Sequence, residues 1–138
     1  MAQESRAHRA ALFCDTNVLV RLLSGEPVDQ AEAAERALGS PAPRIVLTDL
    51  IVAELAYVLI SKGRMAPVEA AGQIRRILEL ESVEVASESI LLDTLDIWAS
   101  TGVDFPDAYL AAAANRRGDS VATFDADFRK LGARVEAL

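Results

Sequence analysis

Apolar runs alternate with longer amphipathic segments along the chain, and this pattern predicts strands alternating with helices. Short apolar runs that end in polar residues predict strands at 10–14, 44–47, 83–85, 120–123 and 134–136. Longer segments bounded by capping residues, Gly or Pro predict helices at 18–23, 29–38, 49–61, 67–80, 87–100, 105–117 and 126–131. Alternation of this kind is typical of an α/β fold whose parallel sheet is covered by helices on both faces.

Residues that favour helix ends support several of these boundaries. Thr48 and Ser87 are suited to the N-cap position of the helices that follow them. Pro67 suits the first turn of a helix, where its missing N–H removes no hydrogen bond. Gly102 and Gly118 follow two of the predicted helices, as helix-ending glycines do.

The bulk composition is that of one globular domain. The chain has 138 residues, of which 51% are hydrophobic and 25% charged. No apolar run reaches the roughly 18 residues that a membrane span needs, and residues 1–10 lack the apolar core of a secretory signal. We therefore expect an N-terminal tail at 1–10, one domain at 11–138, no membrane association and a cytoplasmic location. Cys14 is the single cysteine, which excludes an internal disulfide and a cysteine-based zinc site.

The formal net charge is −7, from 21 acidic and 14 basic residues. This argues against a protein that coats nucleic acid, since such proteins are usually basic. It does not exclude a nuclease, because carboxylate ligands add negative charge that bound cations offset.

Four short acidic motifs lie at 13–17, 48–54, 104–107 and 123–127. Each places a carboxylate at the end of an apolar strand or inside an apolar helix. Because burying a carboxylate without a partner is unfavourable, several of them in one small domain indicate a shared cation. Oxygen ligands favour a hard ion such as Mg²⁺ or Mn²⁺.

Two of these motifs leave a structural alternative open. Asp15, between a strand and a helix, suits an N-cap as well as a ligand, and Asn17 can brace its carboxylate. Glu54 lies within an apolar helix, which predicts burial. A surface position or a salt bridge to an Arg would also explain Glu54.

The other two motifs have the same ambiguity. Asp104 and Asp107 have the spacing of a capping box around Pro106. In the functional interpretation, Asp107 is the preferred ligand, and Asp104 is the helix cap or an acid outside the ligand shell. Asp125 suits an N-cap and Asp127 a first-turn acid, while Thr123 can support the site by hydrogen bonding.

Other catalytic signatures are absent. There is no Gly-rich phosphate loop, and His8, the only histidine, lies in the predicted tail, which disfavours a Ser–His–Asp or Cys–His triad. The basic pairs at 116–117 and 129–130 suit solvated helix ends or contacts to phosphates.

Together the motifs resemble those of the PIN-domain ribonucleases, and most closely the VapC-type toxins of prokaryotic toxin–antitoxin pairs. The resemblance spans roughly residues 12–135 and rests on DTNVL at 15–19, AEL at 53–55, DFPDA at 104–108 and TFDADF at 123–128. It implies an α/β, PIN-like fold with a central, mostly parallel five-stranded sheet flanked by helices on both faces.

The resemblance also implies a function and partners. It implies a metal-dependent endoribonuclease that hydrolyses RNA phosphodiester bonds with Mg²⁺, or Mn²⁺, at a carboxylate site. The family's catalytic and metal-binding acids match Asp15, Glu54, Asp107 and Asp125, and its supporting polar positions match Asn17 and Thr123. A cognate VapB-type antitoxin and a homodimer are the implied partners.

Two other classes of protein are alternatives. A phosphotransferase or receiver domain also places an Asp after its first strand, but it needs a paired acid and a late functional Lys. Here Asp15 precedes Thr16 and Asn17, and Lys130, the only late Lys, lies in a predicted helix. The second alternative is a non-catalytic PIN-like binding module whose acids only cap helices.

Overall fold

The fold of residues 10–138 is an alternating α/β arrangement, described from a computed structural model. The expected tail at 1–10 lies outside these residues except for Ala10. The strands are β1 (Leu12–Phe13), β2 (Ile45–Val46), β3 (Val83–Glu84), β4 (Ser120–Thr123) and β5 (Arg134–Ala137). The helices are α1 (Thr16–Ser24), α2 (Val28–Gly39), α3 (Asp49–Ser61), α4 (Pro67–Leu78), α5 (Glu88–Thr101) and α6 (Phe105–Arg117), followed by a 3₁₀ helix (Ala126–Leu131).

All strand pairs among the described residues are parallel. β1, β2 and β3 form a three-stranded sheet in that order, with Phe13 opposite Val46 and Val46 opposite Glu84. β4 and β5 form a two-stranded sheet in which Val121 lies opposite Val135. The predicted α/β class with parallel strands is confirmed. The single five-stranded sheet stays a prediction, because the strands are assigned to two sheets.

The chain divides into two compact units. The first runs up to Leu55 and includes Arg76–Ala86. Its core is built from the inner faces of α1 and α2 and from the β2 region, with Leu19, Leu38, Ile45 and Leu47 all buried. The buried Ser82 hydroxyl donates a 2.7 Å hydrogen bond to the Leu38 carbonyl oxygen, so the end of α2 is tied to the loop before β3.

The second unit comprises Ala56–Arg75 and Ser87–Leu138. Here α5 packs on α6, and the rings of Trp98 and Phe105 meet edge to face with centroids 5.2 Å apart. A second apolar cluster joins α6 to β4 and the 3₁₀ helix, and its buried members are Ala111, Val121, Phe128, Leu131 and Ala133. Small Ala side chains on α6 let these elements approach closely.

The helix ends follow the sequence signals in most cases. The Thr48 hydroxyl accepts a 3.2 Å hydrogen bond from the Ile51 N–H, which confirms the predicted cap of α3. Gly102 and Gly118 end α5 and α6 with φ of 70° and 72°, a conformation that L side chains rarely adopt. Ser87 holds the N-cap position of α5, but its side chain makes no capping hydrogen bond there.

Two burial predictions are wrong. The strand predicted at 10–14 forms only over Leu12–Phe13, and these side chains are 51% and 75% exposed, because they point to opposite faces of the sheet and neither face is covered there by residues 10–138. Helix α3 is not buried all round, since Leu50 and Tyr57 on one side are 77% and 71% exposed. Among residues 10–138, no helix has both the length and the hydropathy needed to cross a bilayer.

Helices α5 and α6 are also joined by an ion pair. Arg116 Nε and Nη2 donate to the two carboxylate oxygens of Asp93 at 2.5 and 3.0 Å. This two-pronged hydrogen bonding holds the pKa of Asp93 below its ordinary value of 3.8, against an opposing effect of burial and with a further lowering by the positive charge of Arg116. The same contact raises the pKa of Arg116.

Replacing Asp93 with Asn should therefore destabilise the protein in a pH-dependent way. Because the folded pKa lies below the unfolded value of 3.8, the contribution is present above that value and is lost as the pH falls through the folded pKa. The pair is partly exposed, so the effect should be small. Urea denaturation should show a lower midpoint for Asp93→Asn near neutral pH and convergence with the original protein in acid. A difference that is the same at every pH would contradict this account.

Candidate active site

Asp15 lies in the turn between β1 and α1. It occupies the N-cap position with extended backbone angles, φ −80° and ψ 150°, and its carbonyl oxygen accepts a 3.1 Å hydrogen bond from the Val18 N–H. The exposed carboxylate makes no capping hydrogen bond. Of the two interpretations of Asp15, the capping side chain is therefore wrong, and both of its carboxylate oxygens remain available as donors to a cation.

Thr16 is a residue that the sequence reasoning missed. Its side chain is buried, and its Oγ1 has no hydrogen-bond partner among the described residues. The other two fully buried hydroxyls, of Ser82 and Thr94, each donate to a carbonyl oxygen at 2.7 Å. Thr94 bonds to the carbonyl one helical turn before it, an option that Thr16 lacks as the first residue of α1. The signal in the sequence was a hydroxyl directly after the strand-end Asp15.

Asn17, predicted to brace the Asp15 carboxylate, does not do so within residues 10–138. Its exposed side chain instead lines a groove between α1 and α2, about 340 Å³ in volume. Arg21, which borders the same groove, donates a 3.0 Å hydrogen bond to Gln30 of α2. Four of the seven residues that line the groove are Val or Ala, so Asn17 lies beside a largely apolar surface of this unit.

Glu54 is exposed on α3, which corrects the prediction that it is buried. The reason is that α3 buries one side, with Val52 and Leu55, and leaves the side that carries Leu50 and Tyr57 in contact with solvent. The salt-bridge alternative is also not observed, because no Arg or Lys of the described residues pairs with Glu54. An exposed, unpaired Glu on an apolar helix face is compatible with a ligand position.

Asp104 and Asp107 flank the start of α6. Asp104 holds the N-cap position, and its carbonyl oxygen accepts from the Asp107 N–H at 3.0 Å, but its side chain makes no capping bond. The predicted capping box is therefore not formed by the side chains. Asp107 is half-buried beside Phe105 and Ala108, in the crowded setting that the sequence predicted. Burial distinguishes Asp107 from the exposed Asp104.

Asp125 does act as a cap. Its Oδ1 accepts a 2.9 Å hydrogen bond from the Asp127 N–H at the start of the 3₁₀ helix. The Thr123 hydroxyl accepts from the Asp125 N–H, also at 2.9 Å, so Thr123 supports the backbone of this turn. Asp127 forms a 3.4 Å ion pair with Lys130. One oxygen of Asp125 is thus used in capping, and the carboxylate of Asp127 is paired.

The basic pairs near these motifs are largely engaged by acids. Arg116 is bound to Asp93, and Arg117 Nε lies 2.8 Å from an Asp119 oxygen. Among residues 10–138, only Arg129 of the two pairs makes no ion pair or side-chain hydrogen bond. Three of these four side chains are therefore engaged in ion pairs, and the two interpretations, solvated helix ends and contacts to phosphates, both stay predictions.

The predicted acids are divided between the two units. Asp15 and Glu54 belong to the first, and Asp107 and Asp125 to the second. Within the described part of the chain, no group of three or more Asp, Glu, His or Cys side chains lies close enough to hold a metal ion. The convergence of the four acids therefore stays a prediction.

The donor chemistry nevertheless fits a hard cation. Asp15, Glu54 and Asp107 make no side-chain hydrogen bond or ion pair with any residue from 10 to 138, in contrast to Glu84, Asp93, Asp96 and Asp119. Unpaired carboxylate oxygens are the ligands that Mg²⁺ and Mn²⁺ prefer. The Cys14 thiol, half-buried and next to Asp15, has a raised pKa because of burial and then the nearby negative charge, so it stays protonated and is a poor ligand.

The family assignment follows from comparison with known proteins. The sequence profile of the PIN domain matches residues 12–134, nearly the whole chain. The chain therefore belongs to the PIN domain family, whose members are generally metal-dependent nucleases. A comparison with curated proteins gives no match.

Replacing Thr16 with Val should raise the free energy of unfolding by up to about 1 kcal/mol, because it removes a buried hydroxyl that has no partner while keeping the β-branched shape. Urea denaturation monitored by circular dichroism measures the change.

The matched control is Thr94→Val, which removes a hydroxyl that is hydrogen-bonded to Ile90. It should lower the free energy of unfolding by about 0.5–1 kcal/mol. An equal decrease in the free energy of unfolding in the two variants would show that the Thr16 hydroxyl is also hydrogen-bonded.

Proposed function

We propose that this protein is a metal-dependent endoribonuclease and, within the PIN family, the VapC-type toxin of a toxin–antitoxin pair. The observation that carries the proposal is that the family match includes all four motif acids, and that three of them hold unpaired carboxylates. The nuclease class rests on the family, and the toxin role rests on the similarity of the motifs.

Each acid has a role in the proposal. Asp15, Glu54, Asp107 and Asp125 would hold Mg²⁺ or Mn²⁺. When bound, such an ion supplies Lewis-acid activation of water and neutralises charge on the phosphoryl oxygens. Thr123 fixes the backbone at Asp125 through its 2.9 Å hydrogen bond. Asp107 is half-buried in the first turn of α6.

The proposed partners are a VapB-type antitoxin and a second copy of the chain. The groove lined by Asn17, Val18 and Ala33 suits an amphipathic helix from the antitoxin, because small side chains let a helix approach closely. A net charge of −7 favours a partner segment with basic residues. The proposed location is the cytoplasm, with no membrane association.

A non-catalytic PIN-like binding module is the second candidate. The observation that favours it is the capping bond from Asp125 Oδ1 to the Asp127 N–H, because in such a module the acids serve as caps. Asp15 and Asp104 argue against it, since both occupy N-cap positions without using their side chains to cap.

The purified protein should cut RNA into discrete fragments with Mg²⁺ or Mn²⁺ and not with chelator. Asp15→Asn should reduce cleavage by more than the roughly 10- to 100-fold typical of changes outside the ligand shell. Gel analysis of total RNA and tRNA gives the readout.

The matched control is Asp29→Asn, the same change at an exposed acid in the first turn of α2, outside the four motifs. It should cleave like the original protein. Cleavage that survives chelator, or that Asp15→Asn leaves intact, would refute the proposal.

Metal binding should also raise the melting temperature, because a ligand that binds only the folded chain stabilises it, by about 2.7 kcal/mol at 100 times the Kd. The shift with Mn²⁺ should be reduced in Asp15→Asn, Glu54→Gln, Asp107→Asn and Asp125→Asn and retained in Asp104→Asn and Asp29→Asn. Differential scanning fluorimetry measures it. A full shift in Asp107→Asn with a reduced one in Asp104→Asn would exchange the roles of these two acids.

A further inference from the structure

Six of the seven aromatic side chains are either buried or exposed, and the seventh, Tyr109, is half-buried. Trp98, Phe105 and Phe128 are buried, whereas Phe13, Tyr57 and Phe124 are exposed. Each of the exposed rings lies within three positions of a predicted ligand: Asp15, Glu54 or Asp125. Phe124, at 88%, is the most exposed large hydrophobic side chain of residues 10–138.

The backbone around Phe124 is fixed by side-chain hydrogen bonds on both sides. The Thr123 hydroxyl accepts from the Asp125 N–H, and the Asp125 carboxylate accepts from the Asp127 N–H, each at 2.9 Å. The Thr123 carbonyl oxygen also accepts from the Leu138 N–H at 3.2 Å. The ring is therefore presented from an ordered turn at the carboxyl end of β4.

Phe128, four residues further on, shows that this segment can bury an aromatic ring. It packs against Ala111, Val121 and Leu131 in the core of the second unit. The same short stretch thus directs one Phe inward and holds the other in solvent. A solvent-exposed Phe lacks the burial free energy that stabilises a core residue, so Phe124 contributes little to the free energy of unfolding.

The surroundings of Phe124 are mainly polar or small. Ala122, Asp125, Ala126 and Asp127 are exposed beside it in the sequence, and the one large apolar side chain tied to this turn is the exposed Leu138, whose N–H bonds to the Thr123 carbonyl oxygen. Protein partners usually bury a larger apolar area, whereas a base in single-stranded RNA needs one accessible ring face.

The charges nearby also favour contact with a base over contact with a phosphate. Of the basic pairs at 116–117 and 129–130, Arg116, Arg117 and Lys130 are held in ion pairs with acids of the same unit, which leaves Arg129 as the one member without such a pair among residues 10–138. On a chain of net charge −7, stacking provides binding energy that does not depend on attraction between cations and phosphates.

We propose that Phe124 is a base-stacking platform that holds one unpaired nucleotide of the RNA beside Asp125. The inference rests on the proposed ribonuclease function and deepens it by assigning the contact to one unpaired base to a single side chain. Base-paired RNA offers no such face, because its bases are already stacked.

The test is binding of fluorescein-labelled single-stranded RNA to the full chain in Ca²⁺, which keeps the charge of the ion and slows cleavage. Phe124→Ala should weaken binding by about 5- to 100-fold, the range that stacking on one base provides. Phe124→Trp should bind at least as well as the original. Phe124→Leu, which keeps an apolar side chain without a π-face, should resemble Phe124→Ala.

Phe124→Trp adds a direct readout. The only native tryptophan, Trp98, is buried, so quenching on addition of RNA would report the new indole. Val68→Ala, at another exposed apolar position, on α4, is the control and should bind like the original. The Mn²⁺ melting shift should persist in all Phe124 variants, since the ring is not a ligand.

The outcomes separate the two proposals. If the original protein cleaves RNA but Phe124→Ala or Phe124→Leu binds single-stranded RNA as tightly as the original, the stacking role is overturned and the nuclease function stands. The stacking role is also overturned if Phe124→Ala loses as much affinity for fully paired RNA as for single-stranded RNA. Failure of the original protein to bind or cleave any RNA with Mg²⁺ or Mn²⁺ would overturn the proposed function itself.

Discussion

The direction of the strands is the constraint on which the rest of this structure depends. Every described strand pair is parallel, so each strand must be followed by a connection that returns the chain to the opposite end. Helices provide these connections, and their first turns come directly after the carboxyl ends of strands. Asp15 after β1, Thr48 after β2 and Asp125 after β4 all occupy such junctions. A side chain at this point can cap the helix or reach outward, and the proposed metal ligation by Asp15 needs the second orientation.

Most of the fold could be predicted from the sequence because local signals and tertiary structure agree. The bounds of α3, α6 and β4 match the predicted ones. Thr48 precedes α3, Gly102 lies in the loop before α6, and Gly118 separates α6 from β4, so each of these boundaries has a clear signal in the sequence. Burial could not be predicted equally well. Whether Phe13 or Glu54 faces solvent depends on which face of the sheet is covered and which side of a helix finds a neighbour, and neither is encoded in the local pattern.

The candidate site was predictable as a set of acids but not as a division of roles. The sequence treats Asp15, Asp104 and Asp125 alike, as strand-end or loop acids before a helix. The structure separates them, because only Asp125 directs a carboxylate oxygen to the backbone. Thr16 was missed because a Thr at the start of a helix is ordinary in sequence. Only the structure shows that its hydroxyl is buried and has no hydrogen-bond partner among the described residues.

The shortness of β1 has a consequence for how Asp15 is held in place. β1 pairs with β2 over two residues only, and the Leu12 and Cys14 N–H groups donate to the Arg44 and Val46 carbonyl oxygens at its ends. A strand this short and with exposed side chains opens at a lower free energy than the core of the domain. Amide hydrogen exchange in the segment that leads to Asp15 is therefore governed by local fraying and not by global unfolding. A partner that extended β1 pairing would slow that exchange and restrict the motion of the carboxylate at the same time.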